Sequence, residues 1–189
     1  VNIMAEPAVV ERCVNETGIG FMFAQLFNKS MKYVGQARKE MGIRTVFNIL
    51  GPLANPSRAK NMVVGVYSPA LTEAVAKAMA RLGVERAFVV SGCDNMDEIT
   101  LSGTTVSEIK NGAVETFQIQ PEDFGFQSVS LAELKGGDGK ENAKITRAIL
   151  GGEKGPKCDI VLLNAGATLY VGGVAADIKE GIRLAEQAI

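Results

Sequence analysis

The sequence has 189 residues, 47% of them hydrophobic and 22% charged, with a formal net charge of −1. That balance suits a chain with a substantial core, argues against disorder, and offers no basic face for nucleic acid or an anionic membrane. Histidine is absent, which excludes Ser-His-Asp triads, His-ligated metals and imidazole acid/base chemistry.

Val1 is not a translation start, and Glu6 and Glu11 lie in a helical pattern where a leader would have basic residues and an apolar core. The chain therefore reads as a fragment, or as one that begins after removed residues. Pro7 suits the first turn of a helix that Gly18 ends, and GFMFAQLF continues apolar to Asn28, a cap candidate. The glycines of GIGF are too few for a dinucleotide fingerprint and are expected to allow close helix packing or a bend. A further helix would set Met31, Val34, Arg38 and Met41 on one face, with Lys32, Lys39 and Glu40 elsewhere. An inward Arg38 needs an anionic partner or a set of acceptors, because an unpaired buried guanidinium is costly. A carboxylate ligand would serve; so would a core Asp or Glu, or a stem that snorkels outward.

Gly42 stops that helix, Thr45 to Leu50 has β-branched character, and the turn-rich GPLANPS follows. Residues 1–45 are taken as a helical segment and 46–189 as an α/β region. NMVVGVYS reads as a strand, PALTEAVAKAMARLG as a Pro-started helix and RAFVVSG as a second strand, a βαβ unit that predicts parallel pairing. Asn111-Gly112 marks a hairpin between TTVSEIK and AVETFQI. The expected fold class is α/β, with a mixed, mostly parallel sheet flanked by helices.

After PEDFGF, the loop KGGDG leads into the helix ENAKITRAILGG. A P-loop would need Gly at Leu134 and Ser or Thr at Glu141, so a flexible loop that caps the helix is expected. DIVLLNAGATLYV exceeds ordinary strand length and is taken as a buried helix. The uncharged run from Ile160 to Ala176 falls short of the roughly 20 apolar residues a membrane span needs.

Asp94, Asp97 and Glu98 gather in SGCDNMDEITL, just after RAFVVSG, where the carboxyl ends of parallel strands bind ligands. Such carboxylates can offer hard oxygens to Mg²⁺ shared with phosphates, or they can form a solvated acidic turn. Cys93 sits among these acids, which argues against a nucleophile. Cys13, Cys93 and Cys158 form no CxxC pair, so neither zinc nor a disulfide framework is expected and a reduced, cytoplasmic setting fits.

Taken together, GIGFMFAQLFNKSMKYVGQARKEMGIRTVFNILGPLANP, SGCDNMDEITLSG, PEDFGF and GGDGKENAKITRAILGGEKGPKCDIVLLNA closely resemble the anthranilate phosphoribosyltransferases. The resemblance implies a small helical domain joined to a larger α/β domain. It implies transfer of the phosphoribosyl group of phosphoribosyl diphosphate to anthranilate, with release of diphosphate, in tryptophan biosynthesis. Residue by residue, it implies that Arg38 binds anthranilate, that Gly51 and Pro52 line the aromatic site, and that Asp97 and Glu98 hold Mg²⁺, with Asp94 a less certain neighbour. Asn28 falls where the family often has histidine; an amide can hydrogen-bond the substrate but cannot accept a proton. Asn95 and Met96 replace the usual Gly-Leu.

The family's Gly-rich diphosphate loop and its serine, lysine and asparagine phosphate contacts have no counterpart in these residues. The resemblance therefore implies a fragment that turns over little by itself, taken from a cytoplasmic enzyme that is usually a homodimer. A pyrimidine nucleoside phosphorylase-like enzyme and a non-catalytic nucleic-acid-binding relative are the competing readings. The stretch RKEMGIRT fits the anthranilate enzymes better than the first, and the near-neutral charge disfavours the second.

Overall fold

A computed structural model describes residues 2–27, 40–43, 45–55 and 57–189. The chain divides into two compact units, Val1–Arg58 and Ala59–Ile189. In the first, α1 (Pro7–Thr17) begins on its proline and stops at Gly18, whose N–H donates to the Val14 carbonyl at 3.0 Å. The GIGF segment then folds back on α1: a Cβ at Gly20 would meet Val14 Cγ2 at 2.5 Å and Val10 Cγ1 at 3.1 Å. α2 (Ala24–Phe27) is a single turn. Asn28, Met31, Val34 and Arg38 lie outside the described residues. Met41, expected on the inward stripe, is 46% exposed.

The β-branched stretch after Gly42 makes no strand. It forms a 3-10 turn, Val46–Asn48, in which Asn48 Oδ1 accepts the Thr45 N–H at 3.0 Å, and passes into the short α3 (Leu50–Leu53). β propensity is realised only against a neighbouring strand, and the described residues of this unit contain none.

The second unit carries one sheet, in the order β1 (Asn61–Gly65), β2 (Arg86–Gly92), β3 (Thr104–Lys110), β4 (Ala113–Ile119). β1 and β2 are parallel, linked by a crossover through a 3-10 turn (Pro69–Leu71) and α4 (Thr72–Arg81). β2 with β3 and β3 with β4 are antiparallel, the latter pair closed by Asn111 and Gly112 at φ +52° and +77°. The sheet is mixed, as expected, but its parallel share is the single β1–β2 pair. Only there does a helix connect the two strands; the two-residue turn between β3 and β4 can join only antiparallel neighbours.

After β4 come a 3-10 turn (Pro121–Phe124), α5 (Leu131–Leu134), α6 (Gly139–Leu150), α7 (Pro156–Val171) and α8 (Ile178–Ala188). The sheet is covered on both faces. α4 lies on one, where its buried Thr72 accepts a hydrogen bond from Ser107 of β3 at 2.9 Å. On the other, Phe88, Val90 and Val106 pack with Leu162, Leu163 and Ala167 of α7 and Ile182 of α8. β2, buried from Ala87 through Gly92, is therefore central, and its sequence AFVV is apolar without alternation. The carboxyl end of α7 is tied to β3 through Tyr170, whose hydroxyl donates to Glu108 at 2.7 Å and accepts from Lys110 at 2.9 Å.

The KGGDG loop is held, not loose. Asp138 caps α6 by accepting the N–H groups of Lys140 and Glu141, both at 2.9 Å, and Asn142 bonds both backbone groups of Gly137. The N–H groups of Gly137, Lys140 and Glu141 are thus already donated, which argues against a phosphate cradle here.

Leu163 is 1% exposed in this core. Leu163→Ala is expected to lower unfolding free energy by about 2–5 kcal/mol, measured by denaturant titration.

Candidate functional site

β2 delivers the chain to the carboxyl edge of the sheet and ends in a tight acidic loop. The loop is closed by its own backbone: Gly92 N–H donates to the Met96 carbonyl at 2.9 Å, Asn95 N–H to Gly92 at 3.0 Å, and Cys93 N–H to Gly103 at 2.9 Å. Asp97 and Glu98 follow, and the chain then dives inward at Ile99, which is wholly buried. Asp97 is exposed and Glu98 half-buried, so both carboxylates stand where the sheet's parallel strands end.

The backbone beneath them is pinned from two sides. Gly65, the last residue of β1, lies against the Asp97 peptide so closely that any Cβ there would overlap the Asp97 carbonyl. From α7, the Asn164 carboxamide grips Ile99: Oδ1 accepts the Ile99 N–H at 3.2 Å while Nδ2 donates to the Ile99 carbonyl at 2.7 Å. Thr100, the next residue, is fixed in turn by its N–H to Thr104 Oγ1 at 3.0 Å and its hydroxyl to the Gly103 carbonyl at 3.1 Å.

Three carboxylates within five residues repel one another. The Glu98 carboxyl is raised above its ordinary value, first by burial and then by the charges of Asp97 and Asp94. Asp94 is turned onto the loop itself. Its Oδ1 accepts the Met96 N–H at 3.2 Å, whereas its Oδ2 is buried with no hydrogen-bond partner among the described residues. Asp94 thus shapes the loop through one oxygen and leaves the other unserved.

This donor set suits a hard cation. Carboxylate oxygens are the ligands Mg²⁺ takes, one or two at a time, with water and substrate phosphate supplying the rest. Among the described residues no group of three His, Cys, Asp or Glu is placed to hold a metal by itself. Gly51 and Pro52 both lie in α3, Gly51 exposed and Pro52 half-buried. Arg38 and Asn28 fall outside the described residues. A cavity of about 410 Å³ floored by Phe88, Phe117, Phe124 and Tyr170 is lined by no residue of the acidic loop.

A sequence profile described as glycosyl transferase family, a/b domain, matches residues 1–189. The chain belongs to this family. It is 53% identical over 190 residues to the anthranilate phosphoribosyltransferase of Acetivibrio thermocellus, a match that covers 100% of this chain and 55% of the relative. To that of Methanosarcina barkeri it is 50% identical over 185 residues, covering 97% and 50%. The solved anthranilate phosphoribosyltransferase of Thermus thermophilus matches with a TM-score of 0.92 and 41% identity, over 100% of this chain and 56% of that one. The Saccharomyces cerevisiae enzyme in complex with PRPP and Mg matches with a TM-score of 0.86 and 33% identity, over 98% and 54%. The chain spans about half the length of the relatives it matches.

In this glycosyl transferase chain the departure at Asn95 has a local explanation. Its φ is +66°, the left-handed region in which glycine is at home and asparagine is the best-tolerated side chain. Gly65 and Asn164, which hold the acidic loop, fall in no motif; the one signal available in the sequence is the polar interruption of an apolar helix at Asn164.

Gly65→Ala is expected to cost at least about 2–3 kcal/mol and to displace the acidic loop, read by denaturant melts and amide chemical shifts from Met96 to Thr100. Because the Glu98 carboxyl is raised in the folded state, its contribution favours folding below the ordinary value of 4.5 and is lost as pH rises through the elevated value. Glu98→Gln is therefore expected to raise the melting temperature at neutral pH in the presence of a chelator. That gain should disappear below pH 4.5.

Proposed function

We propose that the complete protein is an anthranilate phosphoribosyltransferase, which joins the phosphoribosyl group of phosphoribosyl diphosphate to the amine of anthranilate and releases diphosphate. The observation that carries this reading is the pinned Asp97–Glu98 pair at the carboxyl end of β2, in a chain about half identical to enzymes of that name. The reading includes a cytoplasmic homodimer. Among the described residues no helix is long and apolar enough to cross a membrane.

In the reaction the amine nitrogen bonds to the anomeric carbon of the ribose as the bond from that carbon to the diphosphate oxygen breaks. The bonding electron pair leaves with diphosphate, and an amine proton is lost to solvent. The barrier falls through alignment and charge stabilisation, with no covalent intermediate on the protein. Arg38 holds the anthranilate carboxylate with its planar fork, which fixes the ring and aims the amine. Gly51 and Pro52 supply a surface for the ring, and Asn28 hydrogen-bonds the amine or carboxylate without taking a proton. Asp97 and Glu98 would hold Mg²⁺. When bound, the cation offsets the charge that develops on the departing diphosphate. With the donor's phosphate contacts contributed by other residues, these 189 residues alone are expected to turn over little.

In the complete protein, Arg38→Ala is expected to weaken anthranilate binding by about 10–100-fold, the loss of a charge-assisted pair, with metal affinity unchanged. Titration calorimetry checks this, and an unaltered anthranilate affinity would remove Arg38 from the acceptor site.

A further inference from the structure

An asparagine in the middle of an apolar helix is an anomaly that local physics does not favour. Asparagine competes with the backbone for hydrogen bonds and is a poor helix former, yet Asn164 follows the buried Leu162 and Leu163 in α7. Three of its amide's four hydrogen-bonding positions are used, two of them on a single residue. Besides the two bonds to Ile99, Nδ2 donates to the Ile160 carbonyl one turn back at 2.9 Å, which fixes the carboxamide plane. Ile99 lies in no strand, so Asn164 supplies both partners that a neighbouring strand would otherwise provide. The Ile99 N–H belongs to the peptide that joins Glu98 to Ile99. Orienting that peptide sets the direction in which Glu98 leaves the backbone, while Gly65 sets the level of the Asp97 peptide.

We propose that Asn164 is a positioning residue for the Asp97–Glu98 pair, acting through the Ile99 backbone from a different element of the fold. The proposal rests on the reading of that pair as metal-holding. Asn164 does not touch the metal or the substrate; it removes the freedom of the two carboxylates to drift apart under their mutual repulsion. Such supporting groups tune metal affinity by about 10–100-fold in other metal sites.

The test compares Asn164→Leu, Asn164→Asp and Asp97→Asn with the wild type in the complete protein, below the melting temperature of each. Leucine has similar size and no polar group. Aspartate keeps an acceptor for the Ile99 N–H and replaces the donor to its carbonyl with a second acceptor. The readout is Mn²⁺ affinity by electron paramagnetic resonance, alone and with inorganic diphosphate, together with the half-saturating concentration of anthranilate. The expected result is Mn²⁺ binding weakened by about tenfold or more in both Asn164 variants with anthranilate saturation unmoved. A merely structural asparagine would lower the melting temperature and leave Mn²⁺ affinity at the wild-type value in the folded variant, which overturns the proposal. If Asn164→Leu does not fold, Asn164→Asp decides alone. Wild-type Mn²⁺ binding in Asp97→Asn would instead overturn the metal reading of the pair and the positioning role with it. Weakening by Asp97→Asn without weakening by either Asn164 variant overturns the positioning role only.

Discussion

The double burial of β2 is the constraint on which the rest of the second unit depends. Its apolar run AFVV cannot face water on either side, so α4 must cover one face and α7 with α8 the other. Once those layers are in place, the end of β2 has one direction to go, outward at the carboxyl edge, and the chain can return only by burying Ile99 and Leu101. The acidic loop is the short exposed arc between two buried segments. Its position follows from the core beneath it more than from any preference of its own residues.

That arrangement sets stability against function at one spot. Asp94, Asp97 and Glu98 would separate if the loop were free, and the partial burial of Glu98 makes its ionisation harder still. The fold holds them by bonding only the backbone: Gly65 from below, Asn164 from the side, and the turn's own N–H groups within. The side chains of Asp97 and Glu98 are thereby left available to an external cation, while Asp94 spends one oxygen on the loop. On the function proposed above, a carboxylate pair built in this way is ordered before a cation arrives, which is the preorganisation that metal-assisted displacement of a phosphate group requires.

Local pattern was enough wherever an element is defined by neighbours in sequence. RAFVVSG is β2 to the residue, Asn111-Gly112 closes the β3–β4 hairpin, and DIVLLNAGATLYV is helical within α7. Pattern was less complete where a segment's state depends on a partner. Thr45 to Leu50 has β-branched residues and forms turns, and the KGGDG loop caps α6 through Asp138, as expected, but is also tied down by Asn142. The parallel pairing of one βαβ unit does not extend past it, because β3 returns antiparallel beside β2 through the loop of residues 93–103 and β4 beside β3 through the hairpin.

By itself the sequence determined the chemistry on offer: no imidazole, cysteines without a CxxC pair, and three carboxylates after a strand, together with the motifs that mark the glycosyl transferase family. Tertiary structure alone decided how those carboxylates are held. Gly65 lies far before Asp97 in the chain, and Asn164 is 65 residues after the Ile99 that it grips. No local periodicity encodes such meetings, since they exist only after β1, β2 and α7 have packed together. The physical reason is that a backbone hydrogen bond or a close backbone approach depends on where two chain segments are brought in space. Residue type and spacing within one segment dictate only which face it shows and what it can bond.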